Sequence, residues 1–118
     1  MTEIFVFGSN LAGRHGKGAA LYARKHYGAI YGVGEGLQGS SYAIPTKDSD
    51  LRPLPIAEVA RGVETFLKFA GRRPHLTFRV TAVGCGLAGF HPAEIAPLFR
   101  NAPSNCILPD RFLGILRP

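Results

Sequence analysis

The segment Glu3–Phe7 reads Glu-Ile-Phe-Val-Phe, and both of its alternating faces are apolar. A strand with one face in water alternates apolar with polar residues. A strand apolar on both faces has to be covered on both, which is the habit of parallel sheets flanked by helices. This short run therefore points to an α/β fold of three layers, α/β/α, around a mixed, mainly parallel sheet. The 118 residues suit one such domain, spanning 1–118.

The rest of the chain fits that frame. Gly8–Gly18 is a polar, glycine-rich loop. Ala19–Tyr27 reads as a helix whose small face (Ala19, Ala20, Ala23) lets it approach the sheet closely, with Gly28 as its stop. Ala29–Tyr31 is a candidate short strand, Gly32–Gly39 a second glycine-rich stretch, and Ser41–Pro45 a further strand before the polar loop Thr46–Leu54. Pro55 is placed to open a helix in which Ile56, Val59, Val63, Phe66, Leu67 and Ala70 recur at helical spacing until Gly71. Leu76–Val83 is β-branched and aromatic, hence a strand, and it runs into a third glycine loop, Gly84–Phe90. Pro92 opens a short helix that Pro97 limits, and Cys106–Leu108 is the expected last strand.

Charge narrows the function. Fourteen Lys and Arg against eight Asp and Glu give +6, which favours anionic partners without choosing among nucleotides, phosphates and nucleic acid. The basic residues are spread along the chain and form no tail. No apolar run reaches the roughly 20 residues of a membrane span, so no membrane partner is expected. Glu3 interrupts the first apolar run and no cleavage site follows, so no secretory signal is expected. Two cysteines, Cys85 and Cys106, then suit a cytoplasmic protein with reduced thiols. The four histidines lack zinc spacing, and no metal or other cofactor is expected.

Three glycine loops follow or adjoin strands, where open α/β sheets bind their ligands. In the first, Gly13, Gly16 and Gly18 alternate with Arg14, His15 and Lys17. Such a loop lets backbone N–H groups approach an anion at a helix start, and the basic side chains add charge. It is neither a Walker A loop nor a clean dinucleotide fingerprint. The third loop, Gly84-Cys85-Gly86-Leu87-Ala88-Gly89-Phe90, has the alternating glycines of a phosphate cradle; the plain alternative is a turn needing several positive φ angles. Leu11-Ala12-Gly13-Arg14-His15 and Leu87-Ala88-Gly89-Phe90-His91 form a near-repeat in the same strand-to-helix setting. Two such loops side by side make one cleft.

Several side chains join them as candidates. Asn10, at the end of the first strand, can bond a ribose hydroxyl or cap its own turn. Lys47 and Asp48 follow a strand and should lie near the cleft. Glu35 is either a base or ribose partner, or a solvated loop acid. Phe90 either covers a ribose or joins the core, and Phe112 is a candidate to flank a base. Cys85 is either a nucleophile with His91 as base, or a small packing residue.

Taken in order, Val6–Ala20, Gly32–Lys47 and Val80–Phe99 resemble the strand, loop and helix segments of the macrodomain family, whose members bind ADP-ribose. The resemblance implies a shortened macrodomain-like fold and a nucleotide of ADP-ribose type, free or carried on a macromolecule. It implies that Gly16, Gly18 and Ala19, with Gly84 through Phe90, grip a diphosphate, and that Asn10 contacts the distal ribose. Gly-Cys-Gly-Leu is similar to the loop of members that remove ADP-ribose from acidic side chains. Those use a lysine, matched by Lys47, and an acid after that tetrapeptide, where this chain has Ala88. The resemblance also lacks the preceding strand and the aspartate that often reads adenine. The base is then held differently, the ligand lacks adenine, or a dimer completes the site. Binder and hydrolase both stay open, beside a basic nucleic-acid-binding module and an enzyme centred on Cys85.

Overall fold

A computed structural model describes residues 3–117 of the chain. Its sheet contains Glu3–Asn10 (β1), Gly36–Gln38 (β2), Ser41–Lys47 (β3), Thr77–Val80 (β4) and Cys106–Ile107 (β5). The order is β2-β3-β1-β4-β5. β1 is central, parallel to β3 on one side and to β4 on the other, and β5 continues the parallel set. Only β2, at one edge, runs antiparallel.

The doubly apolar strand is covered twice. Phe5 and Phe7 turn to one face, where Ala20 and Ala23 of Gly18–His26 (α1) pack on them with Ala43. Tyr27 closes that layer by stacking on Phe5 at 4.7 Å between ring centroids. Ile4 and Val6 turn to the other face and meet the larger core. That layer holds Ile56–Gly71 (α2), Pro92–Ile95 (α3) with the 3₁₀ turn Ala96–Phe99 that continues it, and Asp110–Leu116 (α4). Phe66 sits at its centre, with Tyr42, Phe78 and Phe99 around it at centroid distances of 4.9, 5.5 and 6.5 Å. The architecture is thus a three-layer α/β/α fold.

Local departures have local causes. Ala29–Tyr31 is not a strand. It lies between Gly28 and Gly32, both at positive φ, and the Gln38 side chain, not a ladder, binds the Ile30 N–H at 2.7 Å. Pro55 caps α2 from outside the helix instead of opening it. The strand expected over Leu76–Val83 is shorter, because Thr81 turns its hydroxyl onto the Val6 carbonyl and the chain then bends toward the third loop. Phe112 is fully buried beside Phe99, so its ring flanks no base. No described helix is long and apolar enough to cross a membrane.

Candidate functional site

The parallel strands β1, β3 and β4 all end on one side of the molecule, and a cleft of about 790 Å³ opens there. A bulge shapes its floor. Ser9 pairs with Pro45 and Asn10 with Lys47, so Thr46 is the extra residue on β3. Its hydroxyl donates to the Ser9 carbonyl at 3.2 Å. Bulges re-aim the side chains that follow them. Here the bulge sets Asn10 against Lys47, and the Leu11 N–H donates to the Lys47 carbonyl at 3.0 Å.

Asn10 is 4 % exposed, and its amide is engaged at both ends. Nδ2 donates to the Arg14 carbonyl at 3.0 Å, and Oδ1 accepts from the Arg14 N–H at 2.9 Å. The side chain thereby imitates a strand neighbour and ties the first loop to the end of β1. Gly16, Gly18 and Ala19 line the cleft above it. α1 starts there with Lys17 extended at its N-cap and no side chain capping it. Its first N–H groups precede the first intrahelical bond, Leu21 N–H to the Lys17 carbonyl, and are free to meet an anion.

The third loop closes on itself. Phe90 N–H donates to the Gly84 carbonyl at 2.8 Å and Gly89 N–H to the Gly86 carbonyl at 3.0 Å, with Gly84 and Gly89 at φ of +77° and +80°. The ring so formed faces the cleft with Gly84, Gly86, Leu87 and Ala88. Cys85, Gly89 and Phe90 do not line it. Cys85 and Phe90 pack against the large core instead. Burial pushes the Cys85 thiol above its usual range, although the Arg111 charge pulls it back, and its Sγ lies 3.6 Å from the Val83 carbonyl. A nucleophilic thiol needs the opposite shift. His91, its expected base, is engaged as the N-cap of α3, where Nδ1 accepts from the Ala93 N–H.

Glu35 also lies outside the cleft, paired with Arg61 of α2 at 3.5 Å. The glycine-rich stretch around it is a wedge behind the first loop. The Gly32 N–H donates to the Gly13 carbonyl at 2.8 Å, and Ser9 Oγ donates to the Gly34 carbonyl. His15, fully buried, places Nε2 at 3.0 Å from the Val33 carbonyl and 3.2 Å from Gln38 Oε1. The two loops are backed onto each other, so the second one positions the first without touching the cleft floor.

Charge in the cleft has one sign. Arg14, Lys17, Lys47 and Arg111 line it, and no Asp or Glu does. Among the described residues none of the four is in an ion pair, whereas Glu3, Glu35, Glu58 and Glu64 are each paired elsewhere. The carboxylate of Asp48, next to Lys47, accepts the Asp50 and Arg52 N–H groups and holds a tight turn. That turn presents Leu51 to the cleft in the left-handed region, at φ +64°.

Among the lining residues that sequence reasoning missed are Tyr31, Leu51 and Arg111. Tyr31 was hidden in an expected strand, and its ring carries the Arg24 guanidinium at 5.2 Å from its centroid. Arg111 sits on α4, a seven-residue helix between two prolines with too short a pattern to read. Fold and site together define a three-layer α/β domain with an electropositive, glycine-lined cleft at its strand ends. Comparison with family models, with curated proteins and with solved structures finds no match.

Proposed function

We propose that this cleft binds a nucleotide-type diphosphate, ADP-ribose or a relative, as a recognition site. The observation that carries the reading is the meeting of two glycine loops and the uncapped start of α1 around four unpaired cations, with no carboxylate on the cleft wall. Backbone N–H groups and a helix start suit phosphate oxygens, and a cleft at strand ends suits the nucleoside on one side and the terminal ribose on the other. On this reading the diphosphate lies between Gly16–Ala19 and Gly84–Ala88, and one ribose extends over Asn10 toward Lys47. The missing carboxylate favours binding over hydrolysis, because removal of ADP-ribose from an acidic side chain needs a group to activate water or hold the sugar's hydroxyl. Ala88, 7 % exposed on the cleft wall, supplies neither.

Isothermal titration calorimetry with ADP-ribose, ATP and NAD tests the reading. ADP-ribose should bind in preference to both comparators, and Lys47→Ala should weaken it by about tenfold, the usual worth of one charge-assisted contact. If none of the three ligands binds, the ligand assignment is wrong. Release of ADP-ribose from an ADP-ribosylated glutamate peptide, abolished by Lys47→Ala, would turn the binder into an enzyme.

A further inference from the structure

We infer that the preferred ligand carries a phosphate beyond the diphosphate: a phosphomonoester on the ribose at the β5 end of the cleft, held by Arg111. This rests on the diphosphate reading above and deepens it.

The first argument is the balance of charge. A diphosphate brings two negative charges, and the cleft offers four cations with neither a carboxylate on its wall nor an ion pair to occupy them. The second is where those cations stand. The sheet order sets them out along the cleft: Lys47 at the end of β3, Arg14 and Lys17 after β1, the Gly84–Phe90 loop after β4, and Arg111 on the helix that follows β5. Neighbouring strands are about 4.8 Å apart, so β3 and β5 stand roughly 14 Å from each other. A diphosphate seated between the two glycine loops does not span that width. Lys47 and Arg111 thus come to the cleft from elements at opposite ends of this set of strands.

Arg111 has no other employment in the fold. It is exposed and makes no side-chain hydrogen bond or ion pair among the described residues, while its neighbour Phe112 supplies the burial that anchors α4. Arg111 lines the cleft together with Gly84, Gly86, Leu87 and Ala88 of the third loop. A guanidinium offers two parallel donors that match two phosphate oxygens, and an arginine beside a nucleoside ribose is the means by which α/β sites accept an added 2′-phosphate. Stacking on the base is the competing role for the same side chain.

Calorimetry with ADP-ribose, 2′-phospho-ADP-ribose and 3′-phospho-ADP-ribose separates these roles. We expect the native protein to bind one of the phosphorylated forms at least about tenfold more tightly than ADP-ribose. The ratio should fall below about threefold in Arg111→Gln, with Arg111→Lys between the two because it keeps the charge and loses the fork. Circular dichroism checks that each variant is folded. ADP-ribose binding without any preference for an added phosphate overturns this inference and leaves the diphosphate reading standing. So does a preference that survives in Arg111→Gln. Equal losses for all three ligands in Arg111→Gln assign the side chain to a part they share, the base or the diphosphate, and also overturn it. No binding of any of them sinks both.

Discussion

A Cβ built on Gly86 would meet nothing within 4 Å, whereas one built on Gly34 would lie 2.4 Å from the Asn10 carbonyl oxygen. The two glycines therefore answer to different neighbours, and two substitutions separate them. Gly86→Val directs its branches into the open cleft. It should leave thermal unfolding nearly unchanged and abolish ADP-ribose binding; binding that persists would remove the third loop from the site. Gly34→Ala drives a methyl into the Asn10 and Leu11 carbonyls, while the Ser9 hydroxyl holds the Gly34 carbonyl in place. It should cost about 2–3 kcal/mol, the range of an overpacked interior, in a urea titration. Asn10 gives a third test. In Asn10→Asp the carboxylate still accepts the Arg14 N–H but no longer donates to the Arg14 carbonyl, and it adds a negative charge to the cleft floor. Stability should fall by about 1–3 kcal/mol and affinity for the anion should fall with it. A variant that loses stability but keeps its affinity would show that this side chain serves the loop and stands away from the anion.

At the scale of elements, α2 is the structural keystone of the larger layer. Phe66→Ala empties the space among Tyr42, Phe78 and Phe99 and should destabilise by about 3–5 kcal/mol, read from denaturant midpoints at unchanged slope. Elements of this kind were legible in the sequence. The helical spacing from Ile56 to Ala70, the doubly apolar β1 and the alanine face of α1 each answer to one dominant force, burial of a regular stripe. The glycine loops were legible as loops but not as to partner. The chemistry that lets backbone approach a phosphate also lets backbone approach backbone, so Gly32–Gly39 read only as a second glycine-rich stretch, with Glu35 in it either a ligand contact or a solvated acid. Only the fold reveals that Gly13 and Gly32 abut and that Glu35 turns to Arg61. Arg111 and Tyr31 were illegible for another reason. Their place on the cleft wall depends on tertiary packing of a short helix and a turn, which no periodicity in the chain announces.

The whole molecule should lose stability in alkali. Burial pushes the Cys106 thiol up to about 11, and it raises Cys85 and Tyr42 as well. A group whose folded pKa is raised contributes its full stability below its unfolded pKa and loses it as pH climbs through the folded value. For Cys106 that window runs from about 8.5, the free thiol, to about 11. The loss should reach about 1 kcal/mol after allowance for partial exposure, and Cys106→Ala should flatten the decline in unfolding titrations between pH 8 and pH 10. A stability curve that is level across that range would contradict the buried placement of the thiol.

The central position of β1 also governs the order in which this molecule can assemble. β1 bonds to a partner on each side, and the bond from Thr81 to Val6 spans 75 residues. A ribosome adding about 5–20 residues each second needs several seconds to supply that partner. Throughout that interval the most apolar strand of the sheet waits without its full complement of neighbours, and closing so long a loop is slow in any case. Nascent chains should therefore depend on holdase protection until β4 emerges.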